Sequence, residues 1–250
     1  MGLEFHAGNN VLCLLGECDP QSMEFRRQAA QAVDYGLDFY APQTLLSPDG
    51  RRIMIAWMQN WATAGAKPAR CRWFGQMTLP RELFLRDGRL CQRPVRELEA
   101  CHGQRVLHQN IPVCGEVNLP GVQGRVLDLT VTIRPTGCEG CRWFRIHVAR
   151  DDTHDTIIRY KPNESTLKID RTRSGLPHDI VHTRSFLVRP QNGALKLRII
   201  LDRFSVEVFV NDGEQAASSV IYTRQEADAI TFEADGQALI DVEKYDLMVE

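Results

Sequence analysis

The sequence predicts an all-β protein, and three observations carry that prediction. Helical periodicity is scarce along the 250 residues, while short alternating or β-branched runs recur between turn signals. Turn tetrapeptides and Asx-Gly pairs punctuate those runs at Ser47-Pro-Asp-Gly50, Asp87-Gly88 and Asn211-Asp-Gly213, the residues that tight hairpins require. The composition is that of an ordinary globular chain, 43% hydrophobic and 25% charged, long enough for one large or two ordinary domains.

In chain order, Phe39 to Leu46 and Arg52 to Met58 read as two strands joined by the Ser47–Gly50 turn. Leu79 to Leu85 and Arg89 to Pro94 form a second hairpin around Asp87-Gly88. The segment from Pro94 to Cys101 is the best short helix, with Val95, Leu98 and Cys101 on one face. Beyond it the texture changes. Arg125 to Ile133 alternates apolar and polar residues, and strand-like runs recur at 143–148, 156–160, 166–169, 180–188, 195–201, 205–210, 215–222, 229–234 and 238–249. Many short strands at this spacing predict a two-sheet sandwich. The expected organisation is a first part over 1–102, ending in the short helix, and a sandwich over 103–250.

A net charge of −2 gives no electrostatic footprint for nucleic acid or an anionic membrane. No apolar run has the length that spans a bilayer, and the opening residues lack a basic region and cleavage site, so a cytoplasmic location is expected. The eight cysteines then read as reduced thiols. Cys138-Glu-Gly-Cys141 has zinc-knuckle spacing, but no second pair supplies the remaining ligands of a tetrahedral site. Neither a metal nor a cofactor is expected. The seven histidines have no partner Ser or Cys arrangement, which argues against a catalytic triad.

Four segments, in order, resemble glycoside hydrolase family 32, the invertases, sucrose-6-phosphate hydrolases and fructanases. They are Asp38-Phe-Tyr-Ala-Pro-Gln-Thr44 with Ile55-Ala-Trp-Met-Gln-Asn-Trp61; Met77-Thr-Leu-Pro-Arg-Glu-Leu83 with Gln92-Arg-Pro-Val-Arg-Glu-Leu98; Ile169-Asp-Arg-Thr-Arg-Ser-Gly175; and Leu201 to Gly213. The resemblance implies a five-bladed β-propeller followed by a β-sandwich, with the chain holding the last one to two blades and the whole sandwich. Unpaired propeller edges would favour self-association, or pairing with an N-terminal half.

The resemblance also implies retaining hydrolysis of a fructose-containing sugar, in which a carboxylate nucleophile and a carboxylic acid flank the scissile bond. The family's Asn-Asp-Pro-Asn-Gly and Arg-Asp-Pro segments do not occur in this sequence. Gly16-Glu-Cys-Asp-Pro20 imitates the family's Glu-Cys-Pro acid/base, yet Glu17 lies only shortly before Asp38 and reads better as a solvated residue beside a turn. No catalytic residue is therefore assigned, and the chain alone is expected to be inactive. Asp38, Tyr40 and Trp57 match positions that the family turns toward its sugar, where a carboxylate accepts hydroxyl hydrogen bonds and aromatic rings meet C–H faces. Trp61, Trp73 and Trp143 are read as packing residues. A non-catalytic carbohydrate-binding or assembly module is the alternative.

Overall fold

The computed structural model describes residues 11–248 apart from 69, 70 and 74, with the side chains of 137–139 also outside the described set. Strands are the dominant regular structure of the described residues, beside two short 3₁₀ segments. A two-stranded ribbon opens it, β1 (Leu12–Cys18) against β2 (Phe25–Ala32). The connection turns at Asp19, whose carboxylate accepts the backbone N–H of Gln21 and Ser22 at 2.8 and 3.2 Å. Glu17 sits near the exposed end of β1 and accepts a hydrogen bond from Gln28 Nε2 at 3.0 Å.

Next comes an antiparallel four-stranded meander, β3 (Tyr40–Leu46), β4 (Arg52–Trp57), β5 (Arg81–Arg86) and β6 (Arg89–Pro94). The β5–β6 turn places both Asp87 (φ 51°) and Gly88 (φ 70°) in the left-handed region, the geometry that matches the twist of a two-residue hairpin. The ribbon leans on this sheet by one face only. Val11 and Cys13 pack with Val33, Phe39, Met54 and Ala56, while Leu12, Leu14 and Phe25 remain exposed.

The expected helix is instead one short 3₁₀ segment, Arg96–Cys101. Pro94 and Val95 stay extended, and the apolar residues Val95, Leu98 and Cys101 recur every third position, the repeat of a 3₁₀ turn. Leu98 packs against Ile200, Phe209 and Ala216 and so ties the connector to the large sheet beyond it.

The remaining strands form one continuous nine-stranded sheet folded into two layers. They are β7 (His102–Val117), β8 (Leu127–Arg150), β9 (Asp155–Lys161), β10 (Thr166–Arg173), β11 (Thr183–Leu187), β12 (Leu195–Asp202), β13 (Ser205–Val210), β14 (Gln215–Val220) and β15 (Ala229–Leu247). Where the sequence reads two strands at 125–133 and 143–148, β8 runs through both. Its first half pairs with β12 and its second with β9. β15 likewise joins the run at 229–234 to the one that begins at 238, as far as Leu247, and runs beside β8. Register shifts around Gly236 let both strands bend from one layer into the other. β7 escapes the sequence pattern because its residues are mostly exposed and weakly alternating. Inside, Leu129, Val131 and Ile133 join Phe144, Ile146, Ile158, Leu197 and Val208 in one dry core. Cys141 is buried there, and its thiol donates to the Trp143 carbonyl at 3.1 Å; the side chain of Cys138 lies outside the described residues.

Candidate functional site

The meander and the sandwich are joined by the segment 34–38, which runs along β14. The backbone N–H of Tyr35 donates to Ala216 O (2.8 Å), and those of Leu37 and Asp38 donate to Ser218 O (2.9 and 3.1 Å). Gly36 makes this approach possible. A Cβ there would lie 2.0 Å from Ser218 O.

Two buried guanidinium groups are locked into this seam. Arg81, on β5, donates to Asp34 Oδ2 (2.9 Å), Gln92 Oε1 (2.7 Å), Glu207 Oε2 (2.5 and 3.1 Å) and Ser218 Oγ (2.5 Å). Its guanidinium also lies over the rings of Phe39 and Phe209, 5.2 and 5.1 Å from their centroids. Burial works against the charge, and the carboxylates of Glu207 and Asp34 more than restore it.

Arg171, on β10, is the second. It pairs with Asp38 and donates to Val181 O at 3.2 Å. Asp38 is fully buried, and protein donors meet both of its oxygens. Oδ1 accepts Asn60 Nδ2 at 2.7 Å and Thr63 Oγ1 at 3.3 Å, while Oδ2 accepts Arg171 Nη1 and the Val220 N–H, the latter at 2.8 Å. Burial pushes the Asp38 carboxyl above the ordinary carboxylate range, and Arg171, Val220 and Thr63 oppose it.

Above Asp38 sits an aromatic cluster. Tyr40, at the start of β3, meets Trp57 edge to face with centroids 6.3 Å apart and Trp61 at 5.7 Å. Trp57 is half-buried, Tyr40 is 36% exposed and Trp61 is 66% exposed. Trp61, read from the sequence as a packing residue, is thus the most exposed member of the cluster, and Trp73 is exposed as well, edge-on to Phe204. A bulge lies just after Tyr40: the register with β4 shifts between Tyr40 and Gln43, and Ala41 adopts φ 47°, which re-aims the ring relative to the strand. Under Trp57 the chain returns through Gly75 (φ 81°), where a Cβ would come within 3.0 Å of the indole nitrogen.

Of the three residues expected to face a sugar, the structure brings Tyr40 and Trp57 together at the surface and sets Asp38 beneath them. Sequence reading missed Arg171, Asn60 and Thr63. The signal for the last two was present, since Asn60-Trp-Ala-Thr63 is a side-chain-capped turn: Asn60 Oδ1 accepts the N–H of Ala62 and Thr63 at 2.8 and 3.0 Å.

Residues 1–94 match the family model for the glycosyl hydrolases family 32 N-terminal domain, and residues 97–247 match that for the family 32 C terminal. The chain is 37% identical over 241 residues to raffinose invertase of Escherichia coli, covering 91% of this chain and 46% of that protein. It is 31% identical over 242 residues to sucrose-6-phosphate hydrolase of Staphylococcus xylosus, covering 94% and 47%. Exo-inulinase of Aspergillus awamori superimposes with a TM-score of 0.80 at 21% identity, over 94% of this chain and 49% of that one. Fructan 1-exohydrolase IIa of Cichorium intybus, in complex with 1-kestose, gives 0.78 at 18%, over 94% and 54%. The chain spans about half the length of these relatives. Its architecture is theirs over that span, the meander being a propeller blade, the ribbon part of another, and the two-layered sheet the sandwich. The chain belongs to glycosyl hydrolase family 32.

Proposed function

We propose that this chain carries one wall of the sugar site and the sandwich of a β-fructosidase-type glycosidase, whose nucleophile and acid/base carboxylates lie outside these residues. The fitting substrate is a fructose-containing sugar: sucrose, sucrose 6-phosphate or a fructan. The observation that carries the reading is the exposed cluster of Tyr40, Trp57 and Trp61, held in place from below by Asp38. Rings presented this way stack on the C–H face of a sugar. Tyr40 and Trp57 make that contact in our reading, and Asp38 acts on it through Asn60 and Thr63. A division of the chain at 102/103 is supported by the end of the 3₁₀ segment at Cys101 and the start of β7 at His102. The unpaired cysteines, Cys91 and Cys141 among them, suit a reducing, cytoplasmic setting.

Retaining hydrolysis needs a nucleophile and an acid together, so the purified chain should release no fructose from sucrose. Sustained turnover above a heat-treated control would refute the claim that the carboxylates lie elsewhere. Sucrose should nevertheless perturb tryptophan fluorescence in the wild-type chain and not in Trp57→Ala.

A second reading, an assembly module, is favoured by the ribbon, which leaves Leu12, Leu14 and Phe25 exposed on its outer face. Such a surface associates with a second copy or with a chain that carries the remaining blades. A concentration-independent monomer mass by light scattering, unchanged on adding an N-terminal half, would remove it.

A further inference from the structure

Two members of the aromatic cluster, Tyr40 and Trp61, stand close in the chain to Asp38 or to a group that its carboxyl oxygens hold. Tyr40 comes two positions after Asp38, Trp61 lies inside the Asn60–Thr63 turn, and Trp57 is the cross-strand partner of Tyr40. Asn60 Nδ2 bridges Asp38 Oδ1 (2.7 Å) and the Leu37 carbonyl (2.8 Å), and Thr63 Oγ1 reaches the same carboxylate oxygen. The Asn60–Thr63 turn is therefore fastened to the segment that leads into Tyr40 by the Asp38 carboxyl group together with the Leu37 carbonyl. The carboxyl group has no water to stabilise it, because Asp38 and Arg171 both have fully buried side chains. Its countercharge comes from the other part of the molecule. Arg171 reaches it from β10 of the sandwich, 133 positions along the chain, and the Val220 N–H joins from the end of β14.

We propose that Arg171 is a positioning residue for the aromatic face: from the sandwich it holds Asp38 in place, and Asp38 sets the placement of Trp61 against the ladder pair Tyr40 and Trp57. The proposal rests on the reading of that face as a sugar wall, and makes the sandwich part of the sugar site although it contributes no ring to it. Without the guanidinium, a fully buried carboxylate loses its paired charge and takes up a proton or draws in water. Protonation gives one oxygen a hydrogen to donate, and the donors of Asn60 and Thr63 then compete with it for acceptor positions. The turn loosens where Trp61 sits.

The test uses the full chain labelled with 5-fluorotryptophan, whose four resonances (Trp57, Trp61, Trp73 and Trp143) are assigned by single Trp→Phe changes. Arg171→Met should move or broaden the Trp61 resonance and leave Trp143 in place. Arg125→Met provides the comparison. Arg125 is also buried and donates to Thr223 Oγ1, Ala227 O and Arg203 O within the sandwich, so its loss should lower the melting temperature without moving Trp57 or Trp61. Titration with sucrose should show affinity weakened about tenfold in Arg171→Met and less than about twofold in Arg125→Met. An unmoved Trp61 resonance in Arg171→Met overturns the proposal. A moved Trp61 with no sucrose response in the wild type removes the sugar reading and retains the positioning role. If Arg171→Met does not fold, Arg171→Lys, which keeps the charge and loses the fixed fork of donors, should show a smaller shift of the same resonance; no shift there overturns the proposal equally.

Discussion

Arg81 and Glu207, 126 positions apart in the chain, form a buried ion pair in which Nη2 and Nε both donate to Oε2, at 2.5 and 3.1 Å. One belongs to the propeller blade and the other to the sandwich, and neither side chain is more than 4% exposed. Asp34 and Ser218 complete the cage from the same two sides. The seam between the two parts is thus ionic and hydrogen-bonded at its centre, with Phe39 and Phe209 closing it.

Breaking that cage by Arg81→Met should cost about 3–5 kcal/mol, because two carboxylates are left buried without their countercharge. Urea denaturation monitored by circular dichroism measures it. The deficit should shrink as the pH is lowered, because Glu207 without its countercharge takes up a proton more readily than an ordinary carboxylate. Burial already pushes Glu207 above the ordinary carboxylate range with Arg81 in place. A loss below about 1 kcal/mol would show that the seam tolerates an unpaired charge.

Glu82 contributes to the acid-sensitive part of the stability. Burial works to raise its pKa, but hydrogen bonds from Arg51 (2.7 Å), Arg93 (2.9 Å) and Arg96 (3.2 Å) overcome this and bring it from 4.5 down to about 2. A carboxylate whose pKa is depressed on folding stabilises the native state above its unfolded pKa. That stabilisation is complete above about 4.5 and drains away as the pH falls toward about 2. The linkage amounts to at most about 3 kcal/mol. Chemical denaturation between about pH 6 and pH 2.5 should show the slope in the wild type and a flatter one in Glu82→Gln.

At the aromatic face, Trp57→Ala should weaken sucrose binding on the order of tenfold, by removing the half-buried ring against which Tyr40 rests. Tyr40→Ala should act in the same direction. Isothermal titration or fluorescence quenching reads both, and unaltered affinity in both variants would place the sugar elsewhere.

Gly36→Ala should destabilise by about 1–3 kcal/mol or more, since the new methyl meets Ser218 O at 2.0 Å and that atom belongs to the backbone of β14. The thermal midpoint reports the loss. The nearby Gly50→Ala is a useful contrast: a Cβ there meets nothing within 4 Å, so only its positive φ opposes the change.

The strands and their turns are legible in the sequence because each depends on neighbours along the chain. Ser47–Gly50, Asp87-Gly88 and Asn211–Gly213 all turn where their residue types predict. The long strands β8 and β15 read as broken, because a local pattern shows the change of face at a bend but not that pairing continues through it. Trp61 reads as buried, since an indole is large and apolar, yet its turn leaves it in solvent.

The sequence alone determined the all-β class, most of the hairpins, the family, and Asp38, Tyr40 and Trp57 as candidates for one wall. Only the tertiary structure decided what the charged residues of those motifs do. Arg81, Arg171 and Glu207 look in sequence like ordinary polar punctuation between apolar residues, and Asp38 reads as a sugar-facing carboxylate. Folding removes them from water, where a charge persists only beside its opposite, and the pairs Arg81–Glu207 and Asp38–Arg171 join residues more than a hundred positions apart. Local pattern carries no record of such pairs, because the burial that demands them exists only once both parts of the chain have met.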